Sequence, residues 1–152
     1  MHNHQTILAA VDLTEEAPEV FEVAARVARE QDAELHLITV VKPITYAYIG
    51  YETASVSQAV ANFEPEARAH VDAALADLCK DAPVPVERRH IVFGRPADTI
   101  RSTAAEIGAD LIVMGSHGRH GLGLLLGSTA NGVLHGAPCD VLTIRVHPRN
   151  DP

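Results

Sequence analysis

Five short runs of apolar and β-branched residues recur along the chain, and each predicts a β-strand. They cover residues 6–11, 34–41, 84–92, 110–115 and 140–146. The first and fourth runs are continuously apolar at their centres rather than alternating, which is typical of strands buried on both faces of a parallel sheet. We therefore expect these two strands to lie at the centre of the sheet.

Segments with helical periodicity separate the strands. A first helix is predicted after Thr14, which we expect to act as its N-cap. In the second helical segment, residues 55–81, Pro65 either starts the main helix or kinks it, and we favour a start near Pro65. A third is expected to begin at Pro96 and to stop at Gly108, and a fourth to begin near Ser128.

The alternation of strands and helices predicts an α/β fold. We expect an open, mostly parallel five-stranded sheet with helices on both faces and right-handed crossovers between the strands. The length of 152 residues suits a single domain that covers residues 1–152.

Charge and composition exclude several classes of function. Twelve basic against twenty acidic residues give a net charge of −8, the opposite of the basic surface that nucleic-acid binding needs, so we expect no nucleic-acid partner. No apolar run approaches the roughly 18 residues of a membrane span, and no signal peptide pattern opens the chain, so we expect a cytoplasmic protein that does not span the membrane. Cys79 and Cys139 match no metal or redox spacing and are expected to be reduced.

The two central strands end at a carboxylate and at a glycine-rich segment, which we expect to meet in one crevice. In an open α/β sheet, ligands bind beyond the carboxyl ends of the strands, where the winding direction reverses. The first strand ends at Asp12, and the fourth leads through a glycine-rich segment, residues 115–129, into the fourth helix. Glycines let backbone N–H groups approach an anion, and the helix start adds donors and the positive end of its dipole. The sequence therefore predicts a phosphate group in this crevice.

Three better-known glycine-rich motifs are excluded. Lys42 and Lys80 are the only lysines, so the chain has no Gly-Lys-Ser/Thr sequence and no P-loop. No G-x-G-x-x-G sequence follows the first strand, which excludes the dinucleotide-binding fingerprint. The sequence GSHG at residues 115–118 differs by one position from the G-x-S-x-G nucleophile elbow.

These residues resemble the universal stress protein family over nearly the whole chain. The matching segments are residues 7–14 (ILAAVDLT), 94–97 (GRPA), 111–118 (LIVMGSHG), 127–128 (GS) and 137–142 (APCDVL). The ATP motif of the family's nucleotide-binding branch reads G, two residues, G, nine residues, then G and Ser or Thr. Gly115, Gly118 and Gly127 with Ser128 match it, although eight residues rather than nine precede Gly127. The resemblance implies a Rossmann-like fold of the adenine nucleotide alpha hydrolase-like type.

The resemblance also implies a binding site for ATP, or for AMP left from it. It implies adenine near Val40 and Val41, ribose and adenine near Ala10, Asp12 and Met114, and phosphates on Gly115, Gly118, Gly127, Ser128 and Thr129. Apart from the resemblance, His117 and Arg119 flank Gly118 and are expected at the phosphate edge. Asp12 is expected to face a Mg²⁺ ion as well, because Mg²⁺ is held jointly by a carboxylate and substrate phosphates.

Simpler structural roles remain open for some of these residues. Asp12 could cap the helix that follows it, and Ser128 could be only an N-cap. Arg119 could be an ordinary exposed loop arginine rather than a phosphate ligand. The histidines at positions 117 and 120 lack the spacing of metal ligands and are expected to be solvated or at the phosphate edge.

We expect the chain to form a homodimer. The final strand, Val141 to Val146, lies at a sheet edge and is apolar at alternate positions, so it is suited to pairing with a second copy. The resemblance implies a regulatory, nucleotide-sensing role in the stress response, exerted through an unidentified protein partner and without fast catalysis. A slow nucleotide or phosphoester hydrolase is one alternative, and it would need a positioned base and nucleophile. A nucleotide-free interaction module is the other.

Overall fold

Five parallel strands form the centre of the structure, a computed structural model that describes residues 3–41, 54–116 and 126–146, with side chains in the second range described from residue 64 onward. The strands are β1 (Thr6–Ala10), β2 (Glu34–Val41), β3 (Arg89–Phe93), β4 (Leu111–Gly115) and β5 (Asp140–Ile144). They lie in the order β3-β2-β1-β4-β5, and each neighbouring pair is parallel. The predicted parallel sheet is confirmed.

Helices cover both faces of the sheet, as predicted. They are α1 (Ala17–Gln31), α2 (Ala54–Leu78), α3 (Pro96–Ile107) and α4 (Ser128–Leu134). One apolar core lies between the sheet and α1 and α2, and a second lies between the sheet and α3 and α4. Alternate residues of each strand supply the two cores, because successive side chains of a strand point to opposite faces.

The central position of β1 and β4 is confirmed by burial. Ile7, Leu8 and Ala9 of β1 and Ile112 and Val113 of β4 are all 0% exposed. Ile7 and Ala9 pack in the α1/α2 core, whereas Leu8 packs in the α3/α4 core. A strand that packs against apolar residues on both faces has no solvent-exposed face, which explains its unbroken apolar sequence.

The start of α1 differs from the prediction. The helix begins at Ala17 with Glu16 as its N-cap, and no side chain caps it, so the assignment of Thr14 as N-cap is wrong. The Thr14 hydroxyl donates instead to Oδ1 of Asp12 at 2.7 Å. A carboxylate is a stronger acceptor than a neutral oxygen, and this bond holds Thr14 in the loop before the helix.

The starts of the second helix and the third strand also differ from the prediction, and a proline is involved in each case. Helix α2 begins at Ala54 and continues through Pro65, which is exposed, so water can reach the carbonyl that lacks a proline N–H donor. Strand β3 begins at Arg89 rather than at residue 84, because a 3₁₀ turn, Val86–Arg88, follows Pro85. The Arg88 N–H donates to the Pro85 carbonyl oxygen at 2.9 Å and closes that turn.

The remaining helix boundaries are confirmed. Helix α3 begins at Pro96 and ends at Gly108, whose φ of 68° is left-handed and favours glycine. Helix α4 begins at Ser128. Strand β5 ends at Ile144, two residues before the predicted end at residue 146.

Candidate functional site

The direction in which the chain is wound reverses between β1 and β4. From β1 the chain passes to β2 and β3 on one side and then returns to β4 on the other side. Ala10 and Met114 are register partners, so Asp12 and Ser116, each two residues further on, lie at the same carboxyl edge. This is the location at which open α/β sheets bind ligands.

Asp12 forms a tight turn at the end of β1. Its Oδ1 accepts hydrogen bonds from the Thr14 N–H at 3.1 Å and from the Thr14 hydroxyl at 2.7 Å. Leu13, between them, has a φ of 58°, a left-handed conformation that costs a leucine about 1–2 kcal/mol. Asp12 is exposed and does not cap α1, so the simpler structural role considered for it is wrong.

The Asp12 carboxylate is suited to binding a cation whose other ligands come from outside the protein. Both of its hydrogen bonds within the described chain fall on Oδ1, which leaves Oδ2 available at the exposed edge. Across residues 3–41, 54–116 and 126–146, no group of three or more His, Cys, Asp or Glu side chains could hold a metal ion by itself. Mg²⁺ fits this arrangement because it binds through one or two carboxylates and takes its other oxygens from phosphates and water.

Ser116 joins β4 to its neighbours through its backbone. Its N–H donates to the Ile144 carbonyl oxygen at 2.8 Å, and its own carbonyl oxygen accepts from the Gly127 N–H at 2.7 Å. The second bond closes the glycine-rich segment and holds the start of α4 at the carboxyl end of β4. Sequence reasoning did not select Ser116; the available signal was a small polar residue between the last strand residue and the glycine-rich loop.

The start of α4 presents polar groups at this edge. Gly127 is the N-cap, and no side chain caps the helix, so the interpretation of Ser128 as only an N-cap is wrong. The Asn131 N–H donates to the Gly127 carbonyl oxygen at 2.9 Å, and the N–H groups of Ser128 and Thr129 precede this first helical hydrogen bond. The Ser128 side chain is exposed and that of Thr129 is half-buried.

Apolar residues lie near the carboxyl ends of β1, β2 and β4 on the face that α3 and α4 cover. Ala10 is 9% exposed and Met114 is 4% exposed, and both belong to the α3/α4 core with the half-buried Val40. Val41 follows Val40 directly, so its side chain points to the opposite face of the sheet. Of the two valines predicted near adenine, only Val40 therefore shares a face with Ala10 and Met114.

The other predicted site residues divide into two groups. Gly115 ends β4, is half-buried and is the register partner of Ile144 on β5. His117, Gly118 and Arg119 lie outside the described residues and stay predictions.

Comparison with known proteins gives one family. The family model described as "Universal stress protein family" matches residues 3–145. The chain is 39% identical over 144 residues to universal stress protein A homolog 1 of Coxiella burnetii, covering 95% of this chain and 97% of the relative. It is 33% identical over 147 residues to universal stress protein A homolog 2 of the same organism, covering 96% and 98%.

Solved structures agree with the sequence relatives. Universal stress protein UspA from Lactobacillus plantarum superimposes with a TM-score of 0.76 at 27% identity, covering 95% of this chain and 100% of that one. A universal stress protein in complex with cAMP gives a TM-score of 0.64 at 26% identity, covering 95% and 98%. Among the described helices, none is both long and apolar enough to cross a membrane. The chain belongs to the universal stress protein family.

Proposed function

We propose that this protein binds ATP, or AMP, in the crevice between the carboxyl ends of β1 and β4 and acts as a cytoplasmic, nucleotide-sensing dimer in the stress response. The observation that carries the proposal is the hydrogen bond from the Gly127 N–H to the Ser116 carbonyl oxygen. That bond brings Gly127 and the start of α4 to the reversal point, where Asp12 also lies. The complex of a related universal stress protein with cAMP supports an adenine nucleotide as the ligand.

Each part of a nucleotide has a counterpart in this crevice. Adenine would pack against the half-buried Val40, which lies on the same face as Ala10 and Met114 in the α3/α4 core. The N–H groups and hydroxyls at the start of α4 suit phosphate oxygens, and glycines at positions 115 and 118 allow a close approach of the backbone. Asp12 Oδ2 holds Mg²⁺ jointly with the phosphates, and His117 and Arg119 border the phosphate end.

A binding role explains Asp12 better than a catalytic one. Hydrolysis needs a base that is oriented by a partner and faces a nucleophile. Asp12 Oδ1 instead accepts two hydrogen bonds from Thr14, a neighbour in its own turn. The carboxylate is thus fixed in position, which favours binding a cation over moving a proton.

The exposed edge of the sheet supports regulation through a dimer. Strand β5 is the last strand on its side of the described sheet, and Leu142 on it is 38% exposed. Antiparallel pairing of residues Val141 to Val146 with a second copy would cover this edge and join two sheets into one. A protein partner would then read a surface whose shape depends on the bound nucleotide.

The test of the nucleotide site compares Asp12→Asn with a matched control. Asparagine keeps the hydrogen bonds to Thr14 but loses the charge that faces Mg²⁺, so ATP affinity should fall about tenfold or more with Mg²⁺ and little without it. Asp32→Asn removes the same charge from an exposed residue beyond the end of α1, where φ is 54° and asparagine is well tolerated. Calorimetry with ATP and AMP measures all three proteins, and an equal loss with and without Mg²⁺ in Asp12→Asn would reject the metal role.

Gly127→Val tests the phosphate end separately from the metal. Gly127 has φ −61° and ψ 157°, which any residue adopts, so the fold should be retained. The branched side chain would occupy space beside the first N–H groups of α4, and ATP binding should be lost. Full ATP affinity in folded Gly127→Val would show that the phosphates bind elsewhere.

A further inference from the structure

Two histidines and a glutamate form a hydrogen-bonded chain far from the nucleotide crevice. His36 on β2 lies 2.7 Å from Glu34 Oε1 through Nε2, and 2.9 Å from Nε2 of His90 on β3 through Nδ1. The two imidazole rings are nearly parallel and meet edge to edge through the hydrogen bond between them, with centroids 5.2 Å apart and an interplanar angle of 9°. His36 is only 8% exposed, so water does not replace these partners easily.

The geometry limits the number of protons that the two rings can hold. The Glu34 carboxylate accepts, so His36 Nε2 is a donor. A hydrogen bond between His36 Nδ1 and His90 Nε2 needs one nitrogen to donate and the other to accept. With both rings fully protonated, two N–H groups would point at each other across 2.9 Å, and two positive charges would lie side by side at a mostly buried site.

The chain of hydrogen bonds lies where the edge strand begins. Pairing of β2 with β3 starts at Leu37 and Arg89, and His90 is the register partner of Ile38. Strand β3 has five residues and β2 as its only neighbour in the described sheet. The side-chain bond adds to the backbone pairing at the start of this short strand, where Arg89 also forms an ion pair with Asp72 of α2 at 3.3 Å.

We propose that Glu34, His36 and His90 form an acid-sensitive latch, which holds the start of β3 on β2 while the two imidazoles share a hydrogen and which opens when a second proton enters the pair. The charged groups around the latch come from three elements. Glu34 is on β2, Glu106 of α3 faces His90, and Arg88 of the 3₁₀ turn faces Glu34.

The surroundings of His90 favour its neutral form. Burial lowers the pKa of His90 and the charge of His36 lowers that pKa further, whereas Glu106 opposes the shift. In the unfolded chain a histidine takes up its proton near pH 6.5. Because the folded chain takes up this proton only at lower pH, the latch stabilises the fold fully above about pH 6.5 and progressively less as the pH falls.

Metal binding is a poorer account of the same residues. No cluster in the described part of the chain offers three metal-ligating side chains. His36 already uses both nitrogens, one toward Glu34 and one toward His90. A shared hydrogen satisfies the two facing nitrogens, so no ion is needed between them.

The variant His90→Gln tests the latch. The glutamine side-chain N–H₂ can donate to His36 Nδ1 in place of the His90 ring, but it takes up no proton near neutral pH. His70→Gln is the matched control, because His70 is exposed on α2. Urea unfolding, followed by circular dichroism, gives the unfolding constant of each protein at about pH 7.5, 6.5 and 5.5.

Wild type and His70→Gln should show the same rise in unfolding constant on acidification, and His90→Gln a smaller one. From about pH 6.5 to 5.5, the unfolding constant of the wild type divided by that of His90→Gln should rise severalfold. For one excess proton the limit of this rise is about tenfold per pH unit. A ratio that stays constant over this range would overturn the latch.

A second measurement needs no variant. NMR of the imidazole nitrogens in the wild-type protein reports the protonation of His36 and His90, and amide exchange compares Val92 on β3, whose N–H faces β2, with Ile112 on β4. The latch predicts that the second proton and faster exchange on β3 appear together, after correction for intrinsic exchange rates. Two fully protonated rings with unchanged protection of β3 would overturn it.

Discussion

Gly132 of α4 lies directly against Ala97 of α3, and we predict that Gly132→Ala destabilises the protein. A Cβ added at Gly132 would lie 2.7 Å from the Cβ of Ala97. Carbon atoms in good contact are about 3.5–4.0 Å apart, so the two helices would have to separate by about 1 Å. The Ala97 Cβ is bonded directly to the backbone of α3 and cannot rotate away. The contact matters for the proposed site because α4 carries Ser128 and Thr129 at its start.

The magnitude follows from two opposing contributions to the free energy of unfolding. Overpacking of this kind costs about 1–3 kcal/mol. Replacing glycine by alanine inside a helix returns up to about 1 kcal/mol through helix propensity. We therefore expect Gly132→Ala to lower the free energy of unfolding by about 1 kcal/mol, whereas propensity alone would raise it.

A double-mutant cycle isolates the steric contribution. Ala97→Gly alone should cost up to about 1 kcal/mol in propensity. In the double variant the clash is absent and the two propensity changes cancel, so its stability should be close to that of the wild type. The coupling between the two positions should thus be about 1–3 kcal/mol in favour of the double variant.

The assay is urea unfolding of the wild type, both single variants and the double variant, followed by circular dichroism. Gly136→Ala serves as control, because a Cβ there meets the guanidinium end of Arg101, which can rotate away. Its effect should stay within about 0.5 kcal/mol. Additive single-variant effects, or a Gly132→Ala protein more stable than the wild type, would refute the reasoning.

Two further predictions concern the other end of the sheet and its free edge. The hydrogen bond from His4 Nε2 to Asp140 Oδ2, at 3.0 Å, raises the pKa of His4, while burial opposes the shift. The stability that this bond contributes is full below about pH 6.5 and is lost at higher pH. Urea unfolding should therefore become easier from about pH 6.5 to 8 in the wild type but not in His4→Gln. At the edge, the Ile144 carbonyl oxygen accepts from Ser116, so residue 144 faces β4 and the Thr143 N–H faces away from the sheet. Thr143→Pro should therefore weaken the proposed dimer, whereas Thr143→Val should not, and a folded, fully dimeric Thr143→Pro in light scattering would place the interface elsewhere.

The elements that the sequence predicted well are those whose signals are local and unopposed. The apolar run of residues 7–11 has no polar position, which leaves burial on both faces of a parallel sheet as the natural outcome. Helix α3 has Pro96 at its first position and Gly108 beyond its last. Each of these residues suits only one kind of helix terminus, so both boundaries could be read directly.

The misplaced boundaries depend on partners that local patterns do not contain. Thr14 has the chemistry of an N-cap, but Asp12 lies two residues away and takes its hydroxyl proton. Pro65 resembles a helix start, yet α2 continues through it at an exposed position. In both cases the residue type is one that commonly begins a helix, but its surroundings determined where the helix began.

The candidate site could be predicted at the level of the sheet edge but not at the level of its hydrogen bonds. The rule that ligands bind at the reversal point selected Asp12 and Gly115 without knowledge of the strand order. The role of Ser116 depends on Ile144 and on Gly127, which lie on different elements. Such backbone bonds between distant segments leave no periodic pattern in the sequence.

The two edges of the sheet differ in a way that bears on assembly. At the β3 edge, the Arg68 guanidinium of α2 donates to the Ile91 carbonyl oxygen at 2.8 Å and lies 5.3 Å from the centre of the Phe93 ring. A second strand that added there would have to displace this side chain. At the β5 edge, Leu142 is exposed and the Thr143 N–H faces away from the sheet. Among the described residues, the Arg68 side chain therefore opposes pairing at the β3 edge, which supports β5 as the edge used by the proposed dimer.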